Sequence, residues 1–138
     1  MTNEKLFESK IKRWLNSVGV YAAGTPEHKI NKPYRGWFIK VWGGGMQKAG
    51  IPDLLLCVNG FFIAVEIKSK FGKLSTLQKI NLSKINWSNG IAIVLYPDGF
   101  IDFQSIINEV LKCDTRTVGL NRIPIVHLST NCVIPMTY

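Results

Sequence analysis

The chain has 138 residues, 46% of them apolar, with 17 Lys plus Arg against 9 acidic residues and a formal net charge of +8. This length and apolar share suit one compact domain with its own core, and they exclude both a disordered chain and a two-domain protein. The charge suggests a polyanionic partner, nucleic acid before a membrane surface, because no basic amphipathic helix stands out and no run approaches the roughly 20 apolar residues of a membrane span. The start, Met1-Thr2-Asn3-Glu4-Lys5, is polar with no apolar run behind it. No secretory signal is visible, and a cytoplasmic location is expected. Cys57, Cys113 and Cys132 are odd in number without CxxC spacing, so they read as reduced thiols.

Phe7, Ile11, Trp14, Leu15 and Val18 recur at helical spacing, which predicts a helix over Glu4 to Val18 with Gly19 as its stop. Ala22 to Gly36 holds two prolines, two glycines, Lys29, Lys32 and Arg35, and reads as a loop or insertion. Phe38 to Trp42 is a short strand candidate carrying Lys40. Gly43-Gly44-Gly45 opens a flexible loop running through Lys48 to Gly50; no Gly-Lys-Ser/Thr follows, so it is not a phosphate-binding Walker loop. Leu54–Val58 and Phe61–Val65 are apolar strands separated by Asn59-Gly60, the strongest short hairpin signal. Ser69 to Lys73 forms a basic turn. Ser75-Thr76-Leu77-Gln78 is a capping-box pattern that starts a helix ending near Ser88. Ile91 to Tyr96 is a central strand, Pro97-Asp98-Gly99 a turn, and Ile101 to Lys112 a helix. The tail from Thr115 has β-like pieces, notably Ile125 to Leu128, without an assigned place. Trp14 and Trp87 are expected to pack. Core packing is also the expectation for Trp37 and Trp42, with base stacking as their alternative. The order α-β-β-β-α-β-α predicts an α/β fold, a central mixed sheet flanked by helices.

The hairpin carries the chemistry. A two-residue turn sets Val58 against Phe61, and the same register carried outward sets Asp53 against Glu66, with Cβ atoms roughly 5 Å apart. Like charges so opposed are costly unless offset, and a divalent cation held by both carboxylates would offset them. Lys68 lies two residues past Glu66, on the same face. Taken singly, Asp53 is a turn residue after Pro52, and Lys68 a strand-end surface lysine; register makes the three a set. Two carboxylates that hold Mg²⁺ or Mn²⁺ beside an ammonium suit phosphodiester hydrolysis. Gln78 has two readings of equal weight, a helix cap or a side chain aimed at the site. Glu8, beside the apolar stripe of the first helix, is a solvated residue by pattern alone and is not separable from Glu4. Lys40, Lys48, Lys70 and Lys73 are the candidate nucleic-acid contacts.

Gly50-Ile51-Pro52-Asp53, Glu66-Ile67-Lys68 and Gln78 together resemble the PD-(D/E)XK nucleases. With Trp42-Gly43-Gly44-Gly45, the Asn-Gly hairpin, Leu74 to Gln78 and Gly90-Ile91-Ala92, the stretch from about Glu8 to Phe103 resembles the VRR-NUC (virus-type replication-repair nuclease) family, whose small stand-alone members are typical of phages. The resemblance implies a restriction-endonuclease-like core and a Mg²⁺ or Mn²⁺ site. Asp53, Glu66 and the Ile67 carbonyl would be its ligands, with Glu8 as a first-helix ligand, Lys68 as the catalytic lysine and Gln78 as a supporting glutamine. It further implies a homodimer acting on branched DNA, in the manner of a Holliday-junction resolvase, within a single nuclease domain over 1–138. The segment at about 22–36 and the one at about 115–138 depart from the shortest members. Flap or nicking activity, a restriction-type nuclease on the same core, and a non-catalytic nucleic-acid-binding module are the alternatives.

Overall fold

The computed structural model describes residues 2–42 and 49–113, together with the backbone of 126–128. Helix α1 (Asn3–Ser17) begins where the Thr2 hydroxyl accepts the Lys5 N–H, and it buries Phe7, Ile11 and Leu15 along one stripe. The chain then forms β1 (Val20–Ala22), β2 (Gly36–Lys40), β3 (Leu54–Val58) and β4 (Phe61–Ile67). Helix α2 (Thr76–Trp87), β5 (Ile91–Leu95), α3 (Phe100–Lys112) and β6 (Val126–Leu128) follow. Among the described residues these strands make one six-stranded sheet in the order of the chain. β2, β3 and β4 are antiparallel, whereas the pairs β1–β2, β4–β5 and β5–β6 are parallel. The mixture follows from the connections. Asn59 and Gly60, with φ of 49° and 83°, make a two-residue turn that only antiparallel neighbours can use. Parallel pairing needs a long crossover: α2 lies between β4 and β5, α3 between β5 and β6, and residues 23–35 link β1 to β2.

The sheet separates two apolar layers. Phe7, Ile11 and Leu15 of α1 and Phe103, Ile107 and Val110 of α3 pack on Leu54, Leu56, Ile63, Val65 and Ile93. On the opposite face Leu82 of α2 packs on Ala92 and Val94. β5 is buried at every position, as a strand covered on both faces must be. Each fully buried aliphatic side chain here contributes about 1.5–3 kcal/mol.

A mixed sheet flanked by helices is therefore correct, with two strands more than expected. β1 and a 3₁₀ turn at Glu27–Lys29 lie next to or within the stretch read as an insertion, and β6 falls in the unplaced tail. A three-residue edge strand such as β1 has too little alternation to show in a sequence, and the β-like stretch Ile125 to Leu128 has no place until a neighbour pairs with it. β2 begins at Gly36 rather than Phe38. A Cβ at Gly36 would stand 2.9 Å from the Cys57 carbonyl, so strands crowd it on both sides. The tryptophans also need correcting. Trp14 packs edge-on against Phe100 and Phe103, but Trp37, Trp42 and Trp87 are 43%, 75% and 50% exposed. α2 covers β5 and leaves the Trp37 side of β2 open. Gly43 to Gly45, Lys48, Cys132 and the tail other than 126–128 lie outside the described residues. Among the described residues no helix is long and apolar enough to cross a membrane.

Candidate active site

The register found between β3 and β4 runs from Val58–Phe61 to Leu54–Val65, so its continuation sets Asp53 against Glu66 as the hairpin predicts. Asp53 is held twice. Its carbonyl accepts the Val41 N–H at 2.8 Å, and its Oδ2 accepts the Ile67 N–H at 2.7 Å. The second bond ties the carboxylate of one strand to the backbone of the next.

Glu66 is 3% exposed. By the pleat it shares a face with Ala64, the face that α2 covers. Lys68 Nζ lies 3.5 Å from its Oε1, and Gln78 Nε2 donates to the same oxygen at 2.8 Å. Oε2 is buried and has no hydrogen-bond partner. Burial first, and the Asp53 charge second, push the Glu66 carboxyl up to about 8, although Lys68 pulls the other way. A buried acid that faces a second acid and keeps one bare oxygen suits a hard cation, which would relieve both costs at once. The donor set fits Mg²⁺ or Mn²⁺: Asp53, Glu66, and the Ile67 carbonyl adjacent to them on the strand.

Gln78 fulfils both of its readings. Its Oε1 accepts the Ser75 N–H at 2.8 Å, its own N–H donates to Ser75 Oγ at 3.2 Å, and its Nε2 reaches Glu66. The capping box thereby fixes the amide orientation. Because the oxygen is engaged by the helix terminus, the donor end faces the carboxylate.

Two supports were not apparent in the sequence. Gly50 has a φ of +83°, and a Cβ there would meet the Leu77 backbone at 2.7 Å, so the loop leading to Asp53 lies directly on the first turn of α2. Asn81 Nδ2 fastens it by donating to the Gly50 carbonyl at 3.0 Å. Tyr96 donates its hydroxyl hydrogen to the Gly72 carbonyl at 2.9 Å and holds the basic turn. Gly50 ahead of Ile-Pro-Asp was the available signal for the first; Tyr96 gave none.

Glu8 stands on α1 between two lysines. It forms ion pairs with Lys40 and, at 3.1 Å, with Lys12. Burial alone pushes its carboxyl up, but hydrogen bonds from the two lysines, together with their charges, outweigh that and hold it below the usual range. Lys40 shares the α1 side of β2 with Phe38, whereas Glu66 shares the α2 side of β4 with Ala64. Among the described residues no group of three or more acidic, His or Cys side chains that could hold a metal ion is found. Lys40 approaches the Trp42 ring at 5.8 Å; Lys70 and Lys73 are exposed. Comparison of the chain with protein-family models, with curated proteins and with solved structures finds no match.

Proposed function

We propose that this chain is a metal-dependent endonuclease that hydrolyses phosphodiester bonds in DNA, with Asp53 and Glu66 as metal ligands. One observation carries the reading. Glu66 is buried against Asp53, it keeps one oxygen without a partner, and an ammonium stands beside the other. A fold gains nothing from that arrangement by itself, and a simple nucleic-acid-binding module has no use for it. Within this reading the core is of the restriction-endonuclease type, the affiliation is with the VRR-NUC nucleases, and the substrate is branched DNA cut by a homodimer.

A bound divalent cation would polarise the phosphate and lower the pKa of an attacking water. The protein's own groups do the rest. Gln78 and the Ile67 N–H hold the two carboxyls in place, each through one oxygen. Burial of Glu66 keeps bulk water from competing for its free oxygen. Lys68, drawn towards Glu66, offers its ammonium to the charge that grows on the phosphate oxygens.

The test is cleavage of four-way junction, flap, linear duplex and single strand with Mg²⁺, Mn²⁺ or EDTA. The wild type cuts with metal and not in EDTA, while Glu66→Gln and Lys68→Ala bind DNA without cutting. Activity that survives EDTA or both substitutions would sink the mechanism, and equal cutting of linear duplex would sink the branched preference.

A further inference from the structure

Phe71 is 85% exposed, the most exposed large apolar side chain among the described residues. It stands on a turn that is fixed, not loose. The Gly72 N–H closes the turn onto the Ser69 carbonyl at 2.9 Å, and the Gly72 carbonyl is held by the Tyr96 hydroxyl. Immediately before the turn, the Lys68 N–H donates to the Leu95 carbonyl at 3.0 Å, which ties it to the sheet. The turn also folds back onto the catalytic candidate, since a Cβ at Gly72 would lie 3.2 Å from Lys68 Cδ. Phe71 thus occupies the corner of a rigid turn seated on the stem of Lys68. Lys70 sets its ammonium 5.4 Å from the ring centroid, and Lys73 is exposed two residues on.

A fixed, exposed aromatic ring costs free energy until something flat covers it. The surroundings select the cover. Lys68, Lys70 and Lys73 suit phosphates, and the ring between them suits a nucleobase face; this is the combination of cationic track and aromatic platform by which proteins hold unpaired nucleotides. A base inside a continuous duplex already has both faces stacked and cannot offer one. We propose that Phe71 is a stacking platform for a nucleobase displaced from the helix beside the scissile phosphate, so that the substrate must present an unpaired base at a branch point or flap. This rests on the nuclease reading and narrows its substrate.

The experiment pairs the ring with the base. In the cleavage-inactive Glu66→Gln protein with Mg²⁺, Phe71→Ala is combined with flap DNA carrying an abasic position at each nucleotide flanking the branch in turn, and binding is read by fluorescence anisotropy. On intact flap DNA, Phe71→Ala should weaken binding about 5- to 140-fold, the range set by ~1–3 kcal/mol of stacking at 1.4 kcal/mol per decade. At one abasic position the same substitution should cost nothing, because the partner is already gone. Linear duplex binding should not change, and Phe71→Trp should restore flap binding. Equal losses on intact and abasic flaps, an equal loss on linear duplex, or a change in sedimentation that marks Phe71 as a self-association contact would each overturn the proposal. A protein that binds DNA but cuts none of the panel with any metal would remove the nuclease reading and leave this test intact. A protein that binds no DNA would remove both.

Discussion

Replacing Glu66 with Gln should make the protein more stable at alkaline pH when metal is withheld. The carboxyl is pushed from 4.5 to about 8 by burial and by Asp53. A group raised in this way adds stability that is complete below pH 4.5 and is lost as pH climbs towards 8, because the folded state holds a proton that the unfolded chain has released. At about 1.4 kcal/mol per pH unit the whole window is worth on the order of 5 kcal/mol. For a chain of 138 residues that is roughly 15 °C in Tm, at about 3 °C per kcal/mol. Gln keeps the shape and removes the titration. Thermal unfolding in EDTA from pH 4.5 to 8.5 should therefore show wild-type stability falling relative to Glu66→Gln, with the variant ahead at pH 8. Added Mg²⁺ should restore the wild type at pH 8, do little at pH 5, and leave the variant unmoved. A difference between wild type and variant that is flat across the window, or that has the opposite slope, would refute the account of Glu66 as a buried, opposed acid.

Gln78→Glu and Gln78→Ala should separate capping from positioning. Glu keeps the cap but turns an oxygen on Glu66, so without metal it should cost about 1–3 kcal/mol in urea unfolding and remove metal-dependent cleavage with the helix still capped, whereas Ala should lose both the cap and activity. Gly50→Ala should cost about 1–3 kcal/mol in urea unfolding, since a positive φ and a 2.7 Å approach to Leu77 both oppose it, and Mg²⁺ affinity should fall with it as the Asp53 loop leaves α2. Glu8→Gln should cost about 1–2 kcal/mol by leaving Lys40 and Lys12 facing each other, while calorimetric Mg²⁺ affinity stays at the wild-type value; a loss of affinity would return Glu8 to the ligand set.

The core of the site could be read from the chain because it rests on local rules. Asn59-Gly60 dictates its own turn, a two-residue turn dictates register, and a period of two then sets Asp53 and Glu66 opposite each other without any knowledge of the rest of the molecule. The cap at Ser75 and Gln78 is likewise a relation within four residues. The partners of Glu8 and the exposure of three of the four tryptophans were not open to such reasoning. Which face of a strand a helix covers depends on where the crossovers land, and α2 lands on β5 and leaves Trp37 open. Glu8 and Lys40 are 32 positions apart, and only the packing of α1 on the face it shares with Phe38 joins them. β1 does not show in the sequence for the same reason, and the β-like stretch Ile125 to Leu128 has no place until β5 receives it, since three residues become a strand only when a neighbour's backbone is there to receive their hydrogen bonds. Short-range backbone geometry thus placed the two carboxylates. Long-range packing decided how deeply one is buried and which of its oxygens is left bare.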